Sequence, residues 1–298
     1  MTNDPLVSVL MLNQNNRRFI GEAIESVVLQ TYSRWEMIIV ENGSTDDSWE
    51  VIQDWANREP RIQTVRLTYA ANIPAGRNLG LARVQGDYIA TLDSDDVWLP
   101  ERLSRQTEFM ERSENTGIGV CGANCLLIDG EGLGIGRKEF PRTDAACRRA
   151  FWYRNPFCQS TTLVRKVCFD QCGIYDESFV LAEDLELWMR LGQVFRLHNA
   201  PERLVKFRLS GRNVTLRKHR EMIRQTLRAR RLASARYGYS IHLSGRIGFG
   251  LTWCMQWLPP GFVHRLFNRW VLGLGTNPRR VPGNGARSAP CPVVLGNK

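Results

Sequence analysis

Acidic residues almost vanish from the last part of this chain. Glu221 is the only Asp or Glu in residues 210–298, against 16 Lys and Arg, whereas residues 1–209 hold 29 acids and 24 Lys and Arg. The net charge of +10 is therefore concentrated in one region. Such a region is expected to meet an anionic partner: phospholipid, nucleic acid or a phosphorylated substrate. A long apolar run is also lacking. No stretch reaches the roughly 18–20 residues that span a bilayer. The best attempt, 247–262, is interrupted by Gln256 and by Pro259-Pro260-Gly261. The first residues do not form a secretory leader. These absences predict a cytoplasmic protein, soluble or peripheral on the inner face of the plasma membrane. Eight cysteines in 298 residues are too sparse for a disulfide scaffold. The pairs Cys121/Cys125 and Cys168/Cys172 are read as buried thiols in preference to a zinc site. There is no internal repeat. No nucleic-acid motif is present either, which removes nucleic acid from the expected partners.

What is there begins with short, nearly continuous apolar runs. Residues 6–12, 35–40, 62–67 and 88–92 suit strands buried on both faces of a parallel sheet. Helical spacing separates them. Phe19, Ile20, Ala23, Ile24, Val27 and Val28 mark the first helix, and 47–57 and 75–84 mark the next two. Strand alternating with helix predicts an α/β fold, a Rossmann-like, mainly parallel sheet with helices on both faces. Ligands of such sheets lie beyond the carboxyl ends of the strands. Two acidic loops leave those ends, Glu41-Asn42 and 93–96. Farther on, the pattern predicts a helix over 99–112, a strand over 117–128, a turn over 130–134, a helix over 184–191 and a strand over 204–209. A basic helix over 217–237 then opens a helical C-terminal extension. Residues 276–298, rich in Gly, Pro and Arg, are expected to be disordered.

Asp93-Ser94-Asp95-Asp96 places three carboxylates in four residues at a strand end. Their mutual repulsion is relieved by a hard divalent cation, Mn²⁺ or Mg²⁺, which also keeps phosphate oxygens as ligands. A solvated turn with a helix cap is the competing account of the same residues. The surroundings decide between them. The run from Gly86 through Asp93-Ser94-Asp95-Asp96 to Pro100 resembles the metal-binding strand of family 2 glycosyltransferases, whose fold is called GT-A. Val7-Ser8-Val9-Leu10-Met11 is similar to the first strand of that family. Gln30-Thr31-Tyr32, Trp35-Glu36 and the run ending Glu41-Asn42-Gly43-Ser44 resemble its second strand and nucleotide loop. Gly76-Arg77-Asn78-Leu79-Gly80 and Glu183-Asp184-Leu185-Glu186-Leu187-Trp188 look like two further motifs. All occur in the family's order over residues 6 to about 210.

The resemblance implies an inverting, metal-dependent transferase. It would move a sugar from a UDP-, dTDP- or GDP-sugar to a glycan or lipid-linked acceptor in cell-surface polysaccharide synthesis. By matching position, Asp93 and Asp95 would hold the metal and the donor. Glu41 and Asn42 would contact the nucleoside, Arg77 would lie near the base or phosphates, and Asp184 would be the catalytic base, with Glu183 its competitor. The family often has Asp-Asp where this chain has Glu41-Asn42, and Leu12 offers no hydroxyl to a nucleoside. Inverting transfer needs a cation for the leaving diphosphate, a carboxylate for the acceptor proton and in-line alignment. Trp152 and its neighbours are candidates for an acceptor surface or for core packing. Arg208 and Arg212 are candidates for a diphosphate or for plain surface. The expected organisation is a catalytic domain over 1–212, with a nucleotide-sugar half to about 100 and an acceptor half after it. A basic amphipathic extension over 213–275 and the tail over 276–298 follow. Short aromatic-rich helices in 241–274 suit an anionic membrane surface, or else packing on a protein. The alternative function is a non-catalytic nucleotide-sugar-binding or membrane-docking scaffold.

Overall fold

The computed structural model describes residues 4–209 and 218–258. Arg212 and the 276–298 tail lie outside them. Four parallel strands come first: β1 (Val7–Asn13), β2 (Trp35–Asn42), β3 (Ile62–Leu67) and β4 (Tyr88–Asp93). Helices α1 (Ile20–Val28), α2 (Ser48–Arg58) and α3 (Ile73–Leu81) connect them. The strands are apolar at consecutive positions because both faces are covered. Val7, Val9 and Met11 pack with Ile20, Ile24 and Ile52 on one side. Leu10, Ile38 and Val40 pack with Leu81 on the other. Parallel strands covered by helices on both faces require this composition.

The parallel pattern stops at β4. The sheet runs β3-β2-β1-β4-β8-β6-β9-β5, with β7 paired to β6 outside that path. β5 (Val97–Trp98), β7 (Gly134–Lys138) and β8 (Leu163–Arg165) join antiparallel. The long strands β6 (Ile118–Ile128) and β9 (Arg196–Arg208) pair in parallel with register shifts. Four helices belong to this half: α4 (Arg102–Glu111), α5 (Asp144–Ala150), α6 (Lys166–Cys172) and α7 (Glu183–Val194). β9 begins eight residues before the strand expected over 204–209, because pairing with β6 extends it past the interruption at Pro201.

Two helices follow, α8 (His219–Arg236) and α9 (Leu243–Met255). α8 buries Ile223, Leu227, Ala229 and Ala233. It is fastened by Arg230, whose Nε donates to the Phe151 carbonyl (2.7 Å) and whose guanidinium also donates to Thr252 Oγ1 (2.7 Å). The near face of α9 meets Trp152 and Tyr153 through Gly245 and Gly248. Its far face is exposed.

One close packing positions the site. Gly76 and Gly80, one turn apart on α3, face the sheet. A Cβ on Gly76 would stand 2.6 Å from Leu12 Cδ1, and one on Gly80 would run into Leu10. The helix can therefore lie close on β1, and Leu12 is used as its packing partner. Asn72 caps the helix by accepting from the Ala75 amide (2.9 Å).

Candidate functional site

The order β2-β1-β4 brings both acidic loops to one edge of the sheet. Register sets Asn13 beside Glu41 and Leu12 beside Asp93. Glu41 is buried and accepts from Asn13 Nδ2 (2.6 Å) and the Ser44 amide (2.7 Å). Asn42 is buried too. Its side chain makes a two-way pair with the backbone of Ala71, giving to the carbonyl (3.0 Å) and receiving from the amide (2.8 Å). Both residues thus fasten the strand end and its loops. Asn13 Oδ1 is buried there with no partner among the described residues.

The acids of 93–96 divide into two kinds. Asp96 is buried and accepts from Ser160 Oγ (2.5 Å) and the Arg208 amide (2.8 Å). It anchors the turn, which closes as the Asp96 amide donates to the Asp93 carbonyl (3.1 Å). Asp93 and Asp95 remain half-buried. Burial, and then the charge of Asp93, push the Asp95 carboxyl up to about 6. Two neighbouring carboxylates, one of them pushed toward its neutral form, suit a hard divalent cation. No cluster of three or more His, Cys, Asp or Glu among the described residues would hold a metal by protein alone.

Arg77 links this turn to the acidic pair of α7. Its guanidinium is buried, 3.1 Å from Asp93 Oδ1 and 2.5 Å from Glu183 Oε1, and lies 5.5 Å from the Tyr175 ring centre. Burial disfavours its charge, but Glu183, Tyr175 and Asp93 outweigh that and hold its pKa above the ordinary value. Burial pushes the Glu183 carboxyl up to about 7 against the pull of Arg77. Ala182 precedes the pair with a φ of 72°. This left-handed conformation costs a non-glycine residue about 1–3 kcal/mol. It turns the chain so that α7 starts at Glu183.

Asp184 is half-buried. One oxygen accepts from Asn155 Nδ2 (2.7 Å) and the other from the Leu185 amide (2.7 Å). Burial raises its pKa and Asp93 adds to this, while Arg77 and the two hydrogen bonds oppose. Gln159 Nε2 donates to the Tyr175 hydroxyl (2.7 Å), and its buried Oε1 has no partner among the described residues.

Two sequence candidates are placed elsewhere. Arg208 is buried behind the acidic turn. Its Nε donates to the Asp95 carbonyl (2.8 Å), and the guanidinium also pairs with Glu22 (2.5 Å). It braces the turn from within. Trp152 is buried under α9 and forms core. Sequence reasoning passed over Asn155, which holds Asp184, and Ser160, which receives the Asp93 amide (3.1 Å) and gives to Asp96. Asn155 sits in an irregular segment and Ser160 in a single 3-10 turn (Gln159–Thr161), both too short for a periodic signal. The described cysteines are all free, and most are buried.

The family model described as "Glycosyl transferase family 2" matches residues 8–164. TuaG of Bacillus subtilis, named for teichuronic acid biosynthesis, is 44% identical over 135 residues, 45% of this chain and 53% of its own length. WfaP of Escherichia coli, named as a UDP-Glc:α-D-GlcNAc-diphosphoundecaprenol β-1,3-glucosyltransferase, is 29% identical over 224 residues. That alignment covers 74% of this chain and 84% of WfaP. Among solved structures, the mannosyltransferase PcManGT from Pyrobaculum calidifontis, in complex with GDP-Man and Mn²⁺, superimposes with a TM-score of 0.60 at 14% identity. It covers 91% of this chain and 81% of that one. The shared architecture is the GT-A-like one, and the family match spans more than half of the residues. The chain belongs to glycosyl transferase family 2.

Proposed function

We propose that this glycosyltransferase works by inversion, with Mn²⁺ or Mg²⁺ on Asp93 and Asp95. The sugar passes from a nucleotide-sugar to a hydroxyl of a glycan or lipid-linked acceptor in surface polysaccharide synthesis. One observation carries the reading: Arg77 ties Asp93 to Glu183, so the donor end and the acidic pair of α7 share one cleft. When bound, the metal would neutralise charge on the departing diphosphate. Asp184 takes the acceptor proton. Glu183 is the poorer base because its carboxylate is spent on a buried pair with Arg77. Asp184 has one protein hydrogen bond on each oxygen and keeps lone pairs for the acceptor hydroxyl. Burial makes it a stronger base than an exposed aspartate. Asn13 Oδ1, the unpartnered acceptor at the nucleotide edge, suits an N–H of the base. Glu41 and Asn42 act on the nucleoside by holding Asn13 and the adjoining loops in place.

The names of TuaG and WfaP support the polysaccharide and lipid-linked classes. The far face of α9 supports a membrane surface. Leu243, Ile247 and Leu251 recur every fourth residue and are exposed, as are Trp253 and Trp257. The same two helices carry exposed Arg220, Arg224, Arg231, Arg236 and Arg246, with Glu221 the sole acid. Apolar aromatics together with arginines fit the interface of an anionic phospholipid layer. No helix among the described residues is long and apolar enough to cross a membrane.

The test uses UDP-glucose with Mn²⁺. Asp184→Asn is expected to lower transfer about 10²–10⁴-fold while keeping the thermal shift given by donor and metal. Asp95→Asn is expected to lose that shift as well. Full transfer by Asp184→Asn would remove it from the mechanism.

A further inference from the structure

Most arginines around the cleft are neutralised. Arg77 has two carboxylates, Arg208 has Glu22 and backbone carbonyls, and Arg203 has Glu139 at 2.7 Å. Lys138 and Arg154 differ. Lys138 meets the Phe140 ring at 5.0 Å, and Arg154 meets the ring of its neighbour Tyr153 at 5.9 Å. Among the described residues neither side chain has a hydrogen-bond or ion-pair partner, and Arg154 Nε is buried without one. Both are half-buried, as a cleft wall would be.

Topology brings the two together beside Asp184. Lys138 ends β7 opposite Cys125, so their side chains share a face of the sheet. The Cys125 thiol meets Cys158, whose own surroundings include Lys138 and Asp93. Arg154 adjoins Asn155, the residue that holds Asp184 at 2.7 Å. Lys138 feels the charges of both Arg154 and Asp184. Lys138 lies within electrostatic range of Arg154, and its burial without an ion-pair partner is a cost that an incoming anion relieves. A lysine point charge with an arginine fork matches the several oxygens of a phosphoryl group better than one carboxylate.

We propose that Lys138 and Arg154 form an anion subsite that receives a phosphoryl group of the acceptor, so that the preferred acceptor class is a sugar carried on a diphosphate. The inference rests on Asp184 as the base, which makes this side of the cleft the acceptor side. Burial, followed by Arg154, lowers the Lys138 pKa, and phosphate binding would restore its charged form.

Inorganic pyrophosphate serves as probe, titrated into the full chain with a chelator present so that no metal contributes. Wild type is expected to bind. Lys138→Gln with Arg154→Gln should weaken binding at least tenfold, while Lys138→Arg with Arg154→Lys should retain it. Several results would each overturn the assignment: no binding by wild type, equal binding by the glutamine pair, or equal loss in the charge-retaining pair. UDP displacing pyrophosphate one for one in the same buffer would move the pair to the donor. Glucuronate binding more tightly than pyrophosphate would replace the phosphoryl group with a carboxylate. Asp184→Asn should bind pyrophosphate at least as well as wild type, since a nearby negative charge is gone. If that variant binds pyrophosphate yet keeps full transfer, the base reading fails and the subsite stands. If it loses transfer and no pyrophosphate binding is seen in any variant, the subsite fails and the base reading stands.

Discussion

At the ends of β1, β2 and β4 most polar groups already have protein partners. Glu41 holds Asn13 and Ser44, Asn42 holds Ala71, and Asp96 holds Ser160 and the Arg208 amide. In residues 138–159 two do not: Arg154 Nε and Gln159 Oε1 are buried and unpartnered among the described residues. The first region is a prebuilt frame that leaves only Asp93, Asp95 and Asn13 Oδ1 for a ligand. The second is unfinished and awaits one. A buried polar atom without a partner costs about 1–3 kcal/mol, so such a cluster is retained where a substrate completes it. Arg77 is the joint between the two.

That joint gives the largest expected effect. Arg77→Met strands Glu183 as a buried, unpaired acid and frees Asp93. Breaking a buried pair from one side costs about 3–5 kcal/mol. Urea denaturation at neutral pH checks this, and an unchanged midpoint would mean that the two regions are not coupled through Arg77. A medium effect concerns the exposed face of α9. Leu251→Glu with Trp257→Glu is expected to weaken binding to phosphatidylglycerol vesicles at least tenfold, with transfer to a soluble acceptor little altered. Equal sedimentation of both proteins with vesicles would deny that face its membrane.

The smallest effect is read by pH. His198, on β9, stacks on Phe109 with ring centres 4.5 Å apart. Burial, and then Arg142, lower its pKa to about 4. An unfolded histidine titrates near about 6.5, so between those values the unfolded chain binds the extra proton. His198 therefore contributes stability that is complete above about 6.5 and is lost as pH falls toward 4. Glu183, raised to about 7 in the cleft, acts oppositely and costs stability as pH rises through the same window. His198→Gln should flatten the acid-side decline in thermal melting between pH 6.5 and 4. An unchanged slope would assign that decline to other groups.

The same division marks how far the sequence could be read. β1 to β4 were legible because strands buried on both faces need continuous apolar runs, and those runs occur at the expected places. The acidic turn and α7 were legible as motifs. β5, β7 and β8, of two, five and three residues, are too short for any period to register. Arg208 could be counted as a charge beside the site, but nothing in its neighbours tells that Asp95, Asp96 and Glu22 would consume it. Leu12 looked like a missing nucleoside contact, and it is the side chain on which Gly76 packs.

By itself the sequence determined the alternation of strand and helix, the carboxylates at strand ends and the concentration of positive charge near the C-terminus. Hydrophobic periodicity and residue chemistry are local, so they survive in one dimension. Tertiary structure alone decided which carboxylates stay available. It spent Asp96 and Glu183 on Ser160, Arg208 and Arg77, and left Asp93, Asp95 and Asp184 half-buried. It also set Asn155 against Asp184. Hydrogen bonds and ion pairs between residues 16 to 113 positions apart made those choices, and no local pattern encodes them.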